Sequence, residues 1–163
     1  MSDLSELLDH AIWADGVAID AMETLPADAP ERAQALRLYA HLAASSHIWL
    51  SRLEGRTPRH PVWPELHFDE ARALMTESLA GLRAWATKDA GTLATVIEYR
   101  TSAGQAFRNS ISEVLTHVPL HLSHHRGQIA LLVRKGGGTP AATDFVFYAR
   151  DRRVQAATRE TAV

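Results

Sequence analysis

Four of the nine histidines fall within nine residues, in the run His117-Val-Pro-Leu-His121-Leu-Ser-His124-His125, which continues Arg126-Gly-Gln128. The apolar residues on either side, Ile111, Val114 and Leu115 before it and Ile129, Leu132 and Val133 after it, carry the spacing of one long helix. On a helix, His121 and His125 stack one turn apart on one face. Two neutral imidazoles so placed can chelate one divalent transition metal.

A helical wheel sorts the four. At about 100° per residue, the apolar arc centres on Ile111, Val118 and Ile129. His125 lies about 40° from that centre and His121 about 80°, whereas His117 and His124 lie beyond about 110°. His121 and His125 are therefore expected to look inward, with His117 and His124 at the margin, where they could orient the ligands. A histidine pair one turn apart is, by itself, more often ordinary surface or a hydrogen-bonded core pair. The crowding of four imidazoles beside an apolar arc is what points to a metal.

Length and composition set the frame for this helix. The chain has 163 residues, enough for one domain with a real core. Residues 1–153 are expected to form that domain and 154–163 a frayed tail. Hydrophobic residues at 46% against charged residues at 22% give the balance of a globular protein in water. No apolar run is long enough to span a bilayer, and the acidic start, Met1-Ser-Asp-Leu-Ser-Glu6, is unlike a secretory signal. With no cysteine there is no disulfide and no thiolate ligand, which fits a cytoplasmic protein. The net charge of −2, with only two lysines and dispersed arginines, argues against a nucleic-acid partner.

The elements that must position the histidines follow from period and punctuation. Residues 3 to about 25 read as a first helix, capped by Ser2 or Asp3 and followed by Pro26. A second runs from about Glu31 to Leu53 and stops at Gly55 and Pro58. It carries His41 and His47, which the wheel places at opposite margins of the apolar arc without choosing between them. Residues 55–66, with Pro58, Pro61 and Pro64, read first as a plain crossover, with a cover over a pocket as the alternative. A third helix spans about Phe68 to Thr87. The β-branched and aromatic run Thr95–Arg100, a turn at 101–104 and residues 105–108 predict a short hairpin that must lie on the helices. The histidine helix runs from about Ser110 to Lys135. Pro119 inside it predicts a kink, and Gly136-Gly-Gly138 ends it. Residues 143–150 read as a last short helix or extended segment.

In order and spacing these residues resemble the DinB-like family, related to the YfiT-like and mycothiol-dependent isomerase bundles. The resemblance rests on Trp13-Ala14, on His41 eight residues before Trp49-Leu-Ser-Arg-Leu-Glu-Gly55, and on a hairpin before the main helix. It continues through His121-x-x-His124-His125-Arg-Gly-Gln128 to the closing Thr143-Asp-Phe-Val-Phe-Tyr148. It implies an all-α fold: an antiparallel four-helix bundle with a long crossover between helices two and three and a short β-hairpin before the last long helix. It also implies a metal triad of His41, His121 and His125. This choice of His41 comes from the resemblance and leaves His47 as a helix-surface residue. Pro119 departs from the family's usual helix former there, and Ser45 supplies no carboxylate as a fourth ligand.

Three neutral imidazoles would leave a divalent ion, zinc or nickel, at its full charge, able to acidify a water or a thiol. With no cysteine in the chain, that thiol would come from outside. The resemblance implies relatives that use a low-molecular-weight thiol such as mycothiol or bacillithiol. The first expectation is thus a metal-dependent thiol S-transferase or isomerase acting on a small electrophile, with His124 and Gln128 orienting ligands or facing substrate and Arg126 structural or at an interface. The alternatives are a metal-dependent hydrolase and a non-enzymatic, stress-linked bundle stabilised by its metal. A homodimer is compatible with the apolar residues left over on helices one and four.

Overall fold

The apolar spacings resolve into helices, in a computed structural model that describes residues 4–101 and 103–161. In chain order these are α1 (Leu4–Glu23), α2 (Glu31–Leu53), α3 (Phe68–Trp85), α4 (Ala90–Ala94), β1 (Val96–Arg100), β2 (Ala106–Ser110), α5 (Ile111–Lys135) and α6 (Phe145–Thr161). The fold is mostly helical, with one two-stranded antiparallel sheet. Each of the four long helices α1, α2, α3 and α5 packs on two others: α2 on α3 and α5, and α1 on α5 and α3. Leu8, Leu42, Met75, Leu82, Leu115 and Leu122, drawn from all four, are almost completely removed from water at their centre. At Gly81 the third helix comes so close to α2 that a Cβ would lie 2.6 Å from Leu50 Cδ2.

The histidine-bearing helix is well delimited. Ser110 caps α5: its Oγ accepts from the Glu113 N–H at 3.2 Å, while the Glu113 carboxylate accepts from the Ser110 N–H at 2.8 Å. The far end closes on Gly136, and Gly137 takes φ +83°, which favours glycine. Helical structure runs unbroken through the buried Pro119.

Some boundaries differ from those read in the sequence. The third helix stops at Trp85, and a separate short helix α4 follows, capped by Asp89, which accepts from the Thr92 N–H at 3.0 Å. Five residues are too few to show a helical period. The hairpin pairs Val96 with Ser110 through to Arg100 with Ala106, and Tyr99 lays it against Trp49 of α2, ring centroids 5.0 Å apart. The closing segment is a helix, Phe145–Thr161. Phe145 and Tyr148 pack it on His10 of α1, whose Nε2 donates to the Thr143 carbonyl at 2.9 Å. The proposed caps Ser2 and Asp3 lie outside the described residues. No helix among the described residues is long and apolar enough to cross a membrane.

Candidate metal centre

Where α2 packs on α5, three imidazoles converge. From Tyr39 to Ile48 every residue of α2 is buried, which places His41 in the interior, facing α5. Its ring centroid lies 5.4 Å from that of His121 and 4.9 Å from that of His125, and the latter two are 4.6 Å apart. One ring nitrogen from each of the three lies within 4.8 Å of the others, so the group could hold a divalent metal ion. Bonds of about 2.0–2.1 Å to a shared ion would ask for small side-chain rotations from there.

Hydrogen bonds fix which nitrogen two of the three rings offer. The His41 Nδ1–H donates to the Val62 carbonyl at 2.9 Å, which leaves Nε2 with its lone pair. The His125 Nδ1–H donates to Gln128 Oε1 at 2.7 Å and likewise frees Nε2. The Gln128 amide in turn donates to His124 Nε2 at 3.4 Å. His121 Nε2 is buried with no hydrogen-bond partner among the described residues. Such an orphan is costly in a folded protein, and with the proton on Nδ1 a cation is the partner that the Nε2 lone pair would suit. The residues therefore fit a divalent ion.

The electrostatics favour the neutral, ligating form. Burial, reinforced by the neighbouring imidazoles, pushes His121 down to about 4. Burial also lowers His41, against the opposing pull of the Val62 carbonyl. Ser45, one turn beyond His41, turns its hydroxyl back to the Leu42 carbonyl at 3.0 Å. His117 stays outside the group. Its exposed ring stacks on His121 at 5.5 Å and meets Trp49 edge-on at 5.4 Å.

The crossover does more than connect. Residues 54–67 fold back along α2, supply the Val62 carbonyl, and lay Trp63 flat on His41, with centroids 3.9 Å apart and planes 13° from parallel. Neither residue was singled out as a site residue in the sequence. A tryptophan in a proline-rich loop was the available signal, since such a loop is ordered at low entropic cost.

The same fold-back overturns the surface placement of His47, which is fully buried. Its Nε2 accepts from the Ser51 hydroxyl at 3.3 Å and from the backbone N–H and Nε–H of Arg59 at 3.4 Å each. Nδ1 is then the protonated nitrogen, buried without a partner among the described residues. Arg126 is also interior. It faces Asp15, whose carboxyl accepts from the Tyr39 hydroxyl at 3.3 Å. Burial pushes Asp15 up to about 6 and Arg126 down to about 10.

The chain belongs to the DinB family, whose sequence model matches residues 1–160, essentially the whole length. None of the curated proteins is significantly similar to it.

Proposed function

We propose that this DinB-family chain is a metal-dependent enzyme in which His41, His121 and His125 would hold zinc or nickel and an external low-molecular-weight thiol, losing its proton, forms a C–S bond with a small electrophile as a halide leaves or an epoxide C–O bond opens. The reading takes α1, α2, α3 and α5 as an antiparallel four-helix bundle. The observation that carries it is the buried His121 Nε2, unpartnered and set among two other imidazoles whose Nε2 positions are freed by Val62 and Gln128. A divalent ion held by neutral ligands keeps its charge and supplies Lewis acidity toward a thiol or a water. The chain's own residues do the rest. Val62 and Gln128 fix two ring orientations, Trp63 shields His41 from solvent, and burial keeps His121 unprotonated at neutral pH. With no cysteine in the sequence, the nucleophilic sulfur is not the protein's own.

Elemental analysis of untagged protein is the first test, with about one equivalent of zinc or nickel expected. The second follows loss of a free thiol in the presence of a haloarene or an epoxide. Loss that stops on chelation and returns with metal is expected. Ester or amide turnover without thiol would replace the thiol step with hydrolysis. A large fall in melting temperature on chelation, with neither turnover, would leave only a structural metal.

A further inference from the structure

We propose that the cleft between residues 58–63 and the β1 strand binds a small organic anion with a flat apolar body, its charge carried on Arg52. The cleft measures about 770 Å³, within the roughly 300–1,000 Å³ of small-molecule sites. Pro58, Pro61 and Trp63 line it from the crossover, Tyr99 from β1, and Ile48 and Arg52 from α2. These are apolar and aromatic surfaces suited to a planar body. The residues around the cleft include three arginines and no carboxylate.

Arg52 is set apart from its neighbours by what it lacks. Arg56 is ion-paired with Glu54, and Arg59 with Glu77. Arg52 has no carboxylate partner among the described residues. Its guanidinium lies instead over both rings of the edge-to-face pair Trp49 and Tyr99, 4.5 and 4.4 Å from their centroids, and donates to the Arg100 carbonyl at 3.1 Å. The fork is thus fixed in place beforehand, and a fixed fork is well matched to a carboxylate. Desolvation works against its charge, and an incoming anion would relieve that cost. Arg100, also without an ion pair among the described residues, adds positive potential at the rim.

The cleft shares Trp63 and Val62 with the three-histidine group, because both contact His41. A ligand anchored on Arg52 would extend along these residues toward the imidazoles. Only this last step, which makes the anion a substrate of the proposed metal enzyme, rests on the proposed function. The binding itself does not.

The test is calorimetric titration of the full chain, freed of metal with EDTA, using 2-naphthoate and its uncharged counterpart 2-naphthamide. The acid should bind at least ~10-fold more tightly than the amide. Arg52→Gln should remove that preference while leaving the weak amide binding, and Arg52→Lys should retain part of it. Arg134→Gln, at the far end of α5, should change nothing. Equal affinities for acid and amide, no binding of the acid at millimolar concentration, or a folded Arg52→Gln protein that still prefers the acid would each overturn the proposal. If Arg52→Gln does not fold, the acid–amide comparison on the unaltered chain and on Arg100→Gln decides. Because metal is absent throughout, failure here leaves the three-histidine reading intact. Absence of metal on elemental analysis likewise leaves this site standing.

Discussion

His41 and His47 stand six residues apart on the same helix, and both are buried and held below the ordinary histidine pKa by desolvation. They differ in which nitrogen is committed. At His41 a backbone carbonyl takes the Nδ1 proton, and Nε2 is left facing two more imidazoles. At His47 the chain's own donors, Ser51 and Arg59, converge on Nε2, and the surplus group is an N–H. One ring offers a lone pair outward and the other has spent it on the fold. Burial and a low pKa alone therefore do not mark a ligand; the disposition of the second nitrogen does.

Removing a ring from each region should break them differently. His121→Ala should lower divalent-metal affinity by at least ~100-fold, more than the 10–100-fold typical of an outer partner. Competition with a chromophoric chelator measures it. His47→Ala should leave the stoichiometry of metal intact. If the two substitutions weaken metal binding equally, the distinction drawn from their hydrogen bonds is wrong.

His47→Ala should instead be felt in stability. It opens a cavity and strips the acceptor from the Arg59 N–H, at a cost of about 2–3 kcal/mol. For a chain of this size that lowers Tm by roughly 4–12 °C. Amide hydrogen exchange should quicken in residues 56–66, while the α1 and α5 core stays protected. His47→Gln, which restores a side-chain acceptor, should recover part of the loss. Unchanged exchange in the crossover would show that His47 does not anchor it.

How far these two regions could be read in the sequence follows from the range of the forces involved. The i, i+4 relation of His121 and His125, the Ser110 cap and the Gly136 stop are local, and the chain displays them directly. The wheel could not separate His41 from His47, since both edges of α2 are equally marginal. Only the family resemblance, through its distance from Trp49-Leu-Ser-Arg-Leu, favoured His41. Where residues 54–67 fold back is a tertiary fact. Nothing local announces that the Val62 carbonyl reaches His41, that Trp63 covers it, or that Arg59 closes over His47. The crossover was visible as a connection, and its role in ordering both histidines was not.

Gln128→Leu probes the orienting contact on the α5 side. It removes the acceptor of the His125 Nδ1–H but no ligand, so the ring can turn. Because Gln128 is exposed and water can replace it, the loss of metal affinity should sit near the bottom of the usual range, about 10-fold. Gln128→Glu should retain or tighten binding, since a carboxylate accepts the same proton more strongly. A loss as large as that of His121→Ala would make Gln128 part of the centre rather than its support.

The smallest effect is the net one with pH, and its sign comes from what the two regions share. In the metal-free protein His121 sits at about 4 against 6.5 when unfolded. Between those values the unfolded chain takes up the proton first, and stability falls as pH falls, by roughly 3 kcal/mol for this group. Asp15 acts in the opposite sense. Its folded pKa is raised from 3.8 to about 6, so from pH 6 down to 3.8 the folded state takes up the proton first and gains roughly 3 kcal/mol. These two nearly cancel, and the lowered His10, His41, His47 and His117 set the direction. Urea midpoints of the metal-free protein should therefore decline modestly from pH 6.5 to 4. Asp15→Asn, which removes the only opposing group identified, should make the decline steeper. A midpoint that rises on acidification would mean that His41 and His47 are charged in the folded state, and the common premise of the comparison would fail.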